Sequence, residues 1–329
     1  MANLSDKSIL ITGGTGTIGS SLLRAIAALP DDHQPRKVII LSRDEFKQYR
    51  LRQQFSSRQF PFLTFALADV SNYSLLSPHF RQVDVVIHAA ALKRVETGEN
   101  QPTAFVQTNV QGTTHVLNAA LAHSVPQLIT ISTDKAVYPT TLYGATKLCA
   151  ERLTLQSNQD GVLKASVIRL GNIFGSRGSF VPELIDYRDP STVEITHPEM
   201  TRFTMTAAES ARYILKQVAT AEGSEIFVPK MKAYRLLDVV QELAPAAQIN
   251  FSTPRFTEKI HETLLSQEEA RFAHLRSHDF IIKIAANPLT SHQLSSETQE
   301  TDFQSYTSDK AEALSRSEIA EMISTLREK

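Results

Sequence analysis

Cysteine is nearly absent from this 329-residue chain: Cys149 is the only one, so no intrachain disulfide can form and no cysteine-rich zinc site can be assembled. Cys149 falls within a run that reads as helix, where a small buried hydrophobe is the expected role. Net charge is also close to nothing. Thirty-four Lys and Arg balance 35 Asp and Glu, for a formal charge of -1, which leaves no global field to gather nucleic acid or an anionic membrane. No apolar run approaches the ~20 residues of a membrane helix. The N-terminal "MANLSDKSILITGG" lacks a basic segment followed by an apolar stretch and cleavage site. A cytoplasmic protein without a nucleic-acid or membrane partner, and without a metal, is expected. There is no internal repeat.

Apolar runs separated by helix-length segments fill the first half: "SILIT" (8–12), "KVIILS" (37–42), "FLTFALADV" (62–70), "VDVVIHAAA" (83–91), "QLITIS" (127–132) and "ASVIRLG" (165–171). Runs that are apolar at consecutive positions, rather than alternating, suit strands buried on both faces of a parallel sheet. The alternation predicts an α/β fold with a doubly wound parallel sheet of the Rossmann type over residues 1–172. Residues 173–329 are assigned to a smaller substrate-binding lobe, with "IFVPK" (226–230) a strand able to rejoin the sheet. "RLLDVVQELA" (235–244) reads as an amphipathic helix, and the polar "SHQLSSETQETDFQSYTSDK" (291–310) as loop or partly disordered chain.

Directly after the first run, "LITGGTGTIGSS" places Gly13, Gly16 and Gly19 at the opening of a helix. Backbone without Cβ permits a tight turn and close approach of a pyrophosphate, and the helix N-terminus offers unpaired N–H groups. Thr15, Thr17 and Ile18 between the glycines belong to the same expected site. The GxxGxxG spacing is that of short-chain dehydrogenases/reductases. After the second run, Ser42 and Arg43 precede Asp44, with Lys47 close behind. An arginine here suits a 2′-phosphate, so NADP is expected rather than NAD. Asp69 and Val70 would edge the adenine, and Ala89, Ala90 and Ala91 leave room for the dinucleotide.

"STDKAVYPTTLYGATK" (132–147) follows the fifth run. Tyr143 and Lys147 share one face of a predicted helix over 142–155. A lysine cation four residues on favours the phenolate of a tyrosine whose ordinary pKa is near 10, and such a tyrosine can take the proton of an alcohol as hydride leaves its carbon. Asp134 and Lys135 are a second acid-base pair that a simple alcohol dehydrogenase does not need. They imply another proton-moving step. Oxidation at carbon 4 of a hexose acidifies the carbon-5 proton; a base removes it while an acid protonates the carbon-6 hydroxyl, which leaves as water. For Lys135 to be that base its pKa has to fall from about 10.4, and burial is the expected cause.

These segments, with "HAAALKRVE", "IRLGNIFGSRGSFVP" and "EMTRFTM", resemble the inverting UDP-N-acetylglucosamine 4,6-dehydratases over roughly residues 7 to 265. Those enzymes are extended short-chain dehydrogenases/reductases of bacterial surface-polysaccharide and flagellin-glycan pathways. The resemblance implies NADP retained through each turnover, a UDP-sugar substrate and a homo-oligomer. It implies Lys135 as the carbon-5 base, because retaining relatives carry Asp-Glu where this chain has Asp134-Lys135. Asp134 becomes the acid, and Thr133 positions substrate. By the same matching Lys93 lies near substrate and cofactor, and Thr108 near the cofactor. Asn172, Arg177, Arg202, Arg255 and Glu258 fall on the substrate side. The chain departs from the family pattern at Arg94, Glu96, Tyr138, Phe256, Thr257 and the C-terminal "SYTSDK". Other readings left open are a nucleotide-sugar 4-epimerase, an exocyclic dehydratase on a related UDP-sugar, and a non-catalytic NADP-binding sensor.

Overall fold

The computed structural model describes residues 3–56, 58–159, 161–187, 190–284 and 304–327. Six strands follow the expected runs: β1 (Ser8–Thr12), β2 (Lys37–Ser42), β3 (Leu63–Leu67), β4 (Val85–His88), β5 (Gln127–Thr133) and β6 (Lys164–Leu170). They lie parallel in the order β3-β2-β1-β4-β5-β6, the doubly wound arrangement. Between them come α1 (Thr17–Ala27), α2 (Glu45–Gln54), α3 (Gly112–Ala122) and α4 (Leu142–Gln156).

Consecutive apolar residues are needed because both faces of the sheet are covered. Ile9 and Ile11 of β1 face Leu22, Leu23 and Ile26 of α1, together with Ile214 and Val218 of α5 (Ala207–Thr220). Leu10 points the other way, into a layer with Val86, Leu128 and the α3 residues Val116, Leu117 and Ala120. Each such side chain contributes about 1.5–3 kcal/mol on burial.

The sheet also recruits chain from beyond residue 172. The remaining strands are β7 (Asn172–Ile173), β8 (Thr192–Ile195), β9 (Thr201–Met205), β10 (Glu225–Pro229), β11 (Lys232–Arg235), β12 (Gln248–Phe251), β13 (Thr263–Leu265), β14 (Ala273–Leu275), β15 (Asp279–Lys283) and β16 (Tyr306–Thr307). β10 pairs parallel with β6, and β15 and then β14 add antiparallel, making nine strands. The others form three small sheets, β11-β9-β7, β12-β8 and β13-β16. α6 (Leu236–Leu243) and α7 (Arg316–Arg327) close a separate apolar cluster that includes Phe174, Ile195, Tyr234, Val240 and Ile323.

Two expectations change. Cys149 is exposed, because α4 turns Lys147, Ala150 and Glu151 inward and leaves residue 149 on the solvent side. Of the polar stretch 291–310, residues 291–303 lie outside the described residues, while Tyr306–Thr307 form a strand against β13 rather than loop.

Candidate active site

The glycine loop, Ser42–Lys47, Asp69–Val70, Ala89–Ala91 and Thr133–Lys135 follow the carboxyl ends of parallel strands, where doubly wound sheets form their binding crevice. The glycine loop leaves β1 with Gly13 at φ +66°, and a β-carbon there would stand 2.7 Å from Cα of Ala90. The loop therefore rests directly on the Ala89–Ala91 segment at the end of β4. Gly16 caps α1 with backbone alone, so no side chain occupies the helix N-terminus, and the cradle fits a pyrophosphate. From beyond the sheet, Arg177 donates to the carbonyl of Thr15 and its backbone N–H to Thr17 Oγ1 at 3.4 Å. The structure thus brings Arg177 to the phosphate loop.

At the tip of β2, Ser42 is buried and its Oγ accepts from Gln48 Nε2 at 3.1 Å. Arg43 stays half-exposed and pairs with Asp69 at 3.1 Å. Burial opposes the Asp69 charge, but the Ser71 N–H and hydroxyl and the Arg43 guanidinium outweigh it and hold the carboxyl below its usual range. Asp44 caps α2 by accepting from Lys47 N at 2.9 Å and pairs with Lys47 Nζ at 2.6 Å. Val70 is buried beneath Gly112, and Thr108 is buried in the π-helical turn that precedes α3.

The turn after β5 carries the expected acid-base pair. Thr133 caps it, and its hydroxyl donates to Asp134 Oδ1 at 2.9 Å. Asp134 is fully buried, and its Oδ2 has no partner among the described residues. Burial raises its pKa, against the pull of Lys135. Lys135 Nζ lies 3.0 Å from Asp134 Oδ1, 3.1 Å from Asn172 Oδ1 and 3.2 Å from Glu262 Oε1. Here the sequence expectation needs correction. Burial alone would depress the Lys135 ammonium, but the Asp134 and Glu262 carboxylates more than offset it, and its pKa is raised rather than lowered.

α4 begins beside this turn, capped by Thr141, whose Oγ1 accepts from Gly144 N at 3.0 Å. Tyr143 is half-buried, and burial together with Asp134 raises its phenol, while Lys135 and the Thr133 hydroxyl pull the other way. One turn on, Lys147 is 3% exposed; burial lowers it to about 8, with Glu151 opposing. Glu151 in turn accepts from Ser132 Oγ at 2.5 Å and pairs with the buried Arg169 at 2.7 Å, and Arg169 also holds Glu269 at 2.9 Å.

Sequence reasoning missed Glu262, Glu151, Arg169 and Asn109. Asn109 accepts from Leu92 N at 2.8 Å and donates to Leu92 O at 2.9 Å and to Thr146 Oγ1 at 3.0 Å, tying the segment before Lys93 to α4. A buried asparagine or glutamate in an otherwise apolar stretch is the one signal that could have found such residues. Lys93 itself donates to Ser176 Oγ at 3.2 Å, and burial, Arg177 and Lys135 lower its pKa. Arg202 approaches Glu262 at 3.8 Å. Arg255 and Glu258 are not drawn into this cluster; Arg255 pairs with Glu96 at 3.0 Å on the surface, and its backbone N–H faces Glu258 Oε2 at 3.5 Å. Among the described residues no group of His, Cys, Asp and Glu could hold a metal ion, and no helix is long and apolar enough to cross a membrane.

Sheet order and glycine loop together define a Rossmann-type doubly wound α/β architecture. A family described as polysaccharide biosynthesis protein matches residues 9–284, and this chain belongs to it. The chain is 36% identical over 274 residues to the UDP-N-acetylglucosamine 4,6-dehydratase (inverting) of Campylobacter jejuni, covering 82% of this chain and 80% of that one. It is 34% identical over 336 residues to the UDP-glucose 4-epimerase of Rickettsia rickettsii, covering 98% and 96%. In three dimensions it resembles Pen from Bacillus thuringiensis, with a TM-score of 0.85, 30% identity and 98% of both chains covered. It therefore stands among the nucleotide-sugar dehydratases and epimerases.

Proposed function

We propose that the protein is an NADP-dependent nucleotide-sugar 4,6-dehydratase that inverts carbon 5, acting on UDP-N-acetylglucosamine. The product would be a 4-keto-6-deoxy hexose for surface polysaccharide or glycan synthesis. The observation that carries this reading is the placement of the buried Asp134 and the half-buried Lys135 side by side, within reach of Thr133 and Asn172 and next to Tyr143.

Gly13, Gly16 and Gly19 would hold the pyrophosphate of the cofactor, and Arg43 its 2′-phosphate. Bound there, NADP would supply the hydride acceptor for carbon 4 and the hydride donor for carbon 6. Tyr143 takes the carbon-4 hydroxyl proton, and Lys147 behind it lowers the cost of the phenolate. Lys135, as the amine, removes the proton from carbon 5, and a solvent-derived proton returned to carbon 5 from the opposite face balances the one removed and inverts the centre. Asp134, whose burial favours the protonated form, gives its proton to the carbon-6 oxygen, which leaves as water. Thr133 and Asn172 orient the sugar. The enzyme is proposed to act in the cytoplasm as a homo-oligomer.

A sensor has no use for a buried, oriented Asp-Lys pair. The 4-epimerase reading is the second choice, because full-length similarity to UDP-glucose 4-epimerases supports it. Mass spectrometry of products from a small panel of UDP-hexoses separates the two. Loss of one water supports the dehydratase, and a product of unchanged mass from every sugar would eliminate it.

A further inference from the structure

Lys135 Nζ meets three oxygens, those of Asp134, Asn172 and Glu262, at 3.0, 3.1 and 3.2 Å. An ammonium has three N–H donors and no acceptor, and three acceptors at these distances match it completely. The third of them comes from far along the chain, and its place is built rather than incidental. Glu262 is 4% exposed. Its backbone N–H donates to Ser308 Oγ at 2.9 Å, and the Ser308 N–H donates back to the Glu262 carbonyl at 2.9 Å. Ser308 also bonds Thr201 Oγ1 at 2.7 Å, and Thr201 Oγ1 bonds His261 Nδ1 at 2.8 Å. The "SYTSDK" segment, a departure from the family pattern, thus supplies the strand and the serine that fix Glu262.

We propose that Glu262 is a positioning residue for Lys135: it completes the acceptor set that aims the amino group and keeps it charged until a proton is released. The inference rests on the dehydratase reading only for what Lys135 does next. Asp134 shares the turn with Lys135, Arg202 faces it from β9, and Lys93 and Lys259 are the other cations around it. Tyr143 and Tyr234 are the remaining titratable groups that sense it. Of the two carboxylates, burial pushes Asp134 toward its protonated form, whereas the cations on Glu262 outweigh its burial and keep it ionised. Glu262 is therefore the lasting negative partner. To act at carbon 5, the Lys135 ammonium must first lose one proton to solvent, leaving the lone pair that takes the carbon-5 proton. The elimination step should accelerate with rising pH as the amine fraction grows.

The test uses the full-length protein and the rate of lysine acetylation by an activated acetate ester, read residue by residue by peptide mass spectrometry across pH. In the wild type, Lys135 should react more slowly at pH 8 than Lys259, which is also half-buried but whose ammonium donates to the Val137 carbonyl and, among the described residues, forms no ion pair. Glu262→Gln should move the Lys135 midpoint down by about one pH unit or more, the usual effect of losing an opposite charge in contact. Glu262→Asp should restore most of it. A folded Glu262→Gln protein with an unmoved Lys135 midpoint would overturn the proposal. If that variant does not fold, Lys135 reacting as fast as Lys259 in the wild type overturns it equally. Acetylation needs no substrate, so a shifted midpoint in a protein that dehydrates no UDP-hexose refutes the dehydratase reading alone.

Discussion

Gly144 packs against the main chain of Lys135 so closely that a β-carbon on residue 144 would overlap the Lys135 carbonyl oxygen. The first turn of α4 and the turn after β5 are thereby locked together, with Tyr143 on one side of the contact and Asp134-Lys135 on the other. Gly144→Ala has to push the helix away. The expected result is a loss of about 1–3 kcal/mol of stability from overpacking, and a fall in turnover on the order of 100-fold from the displaced Tyr143. Thermal denaturation and steady-state rates check both; an unchanged rate would show that the spacing is not critical.

Lys147 costs stability in the service of the site. Its pKa in the folded chain is lowered to about 8, from about 10.4 when unfolded. Below about pH 8 both states hold the proton, and the burial penalty is present in full. Between about 8 and 10.4 the unfolded chain binds more protons, so the Lys147 contribution to stability improves as pH rises. Lys147→Met should melt higher than the wild type at pH 7, with a flatter rise above pH 8, and should be inactive. A lower melting point at pH 7 would contradict this.

Arg43 is the group proposed to meet a cofactor 2′-phosphate, and its half-exposed guanidinium pairs with Asp69 at 3.1 Å. Arg43→Ala should weaken NADPH binding by roughly 10- to 100-fold, as expected for losing a charge-assisted bond, while NADH binding changes little. Calorimetric titration of both nucleotides measures this; equal losses for the two would remove Arg43 from cofactor discrimination.

Tyr138, one of the departures from the family pattern, holds a left-handed backbone, φ +46°. Asparagine tolerates that conformation and tyrosine does not, at a cost of about 1–2 kcal/mol. The Tyr138 hydroxyl donates to Glu268 on the surface, a bond of small net value. Tyr138→Asn should therefore raise the melting temperature without affecting turnover, which a melting curve resolves.

What the sequence reveals about this molecule follows the range of the interactions involved. The six parallel strands and the glycine loop are legible because each depends on a local pattern, apolar residues in succession and Gly at fixed spacing. Tyr143, Lys147, Asp134 and Lys135 lie within one short stretch, and their type suggested their chemistry. Glu262 is illegible for the opposite reason: it reaches Lys135 across 127 positions, held by Ser308 from a third segment. Arg169 and Glu151 are illegible for the same reason: only the packing of β6 against α4 brings them together and buries them. The Lys135 ionisation was misjudged because burial could be guessed from sequence, whereas its second carboxylate could not. Cys149 was misplaced by the phase of one helix.

The central claim is that Asp134 and Lys135 drive loss of water within an internal redox cycle. The most direct test is incubation with UDP-N-acetylglucosamine in deuterated water, with the product followed by mass spectrometry and proton NMR. We predict a sugar that has lost one water and carries deuterium at carbon 5, with the Lys135→Ala variant oxidising carbon 4 but eliminating nothing. An unlabelled 4-epimer from the wild type, or dehydrated product from Lys135→Ala at near wild-type rate, would contradict the account.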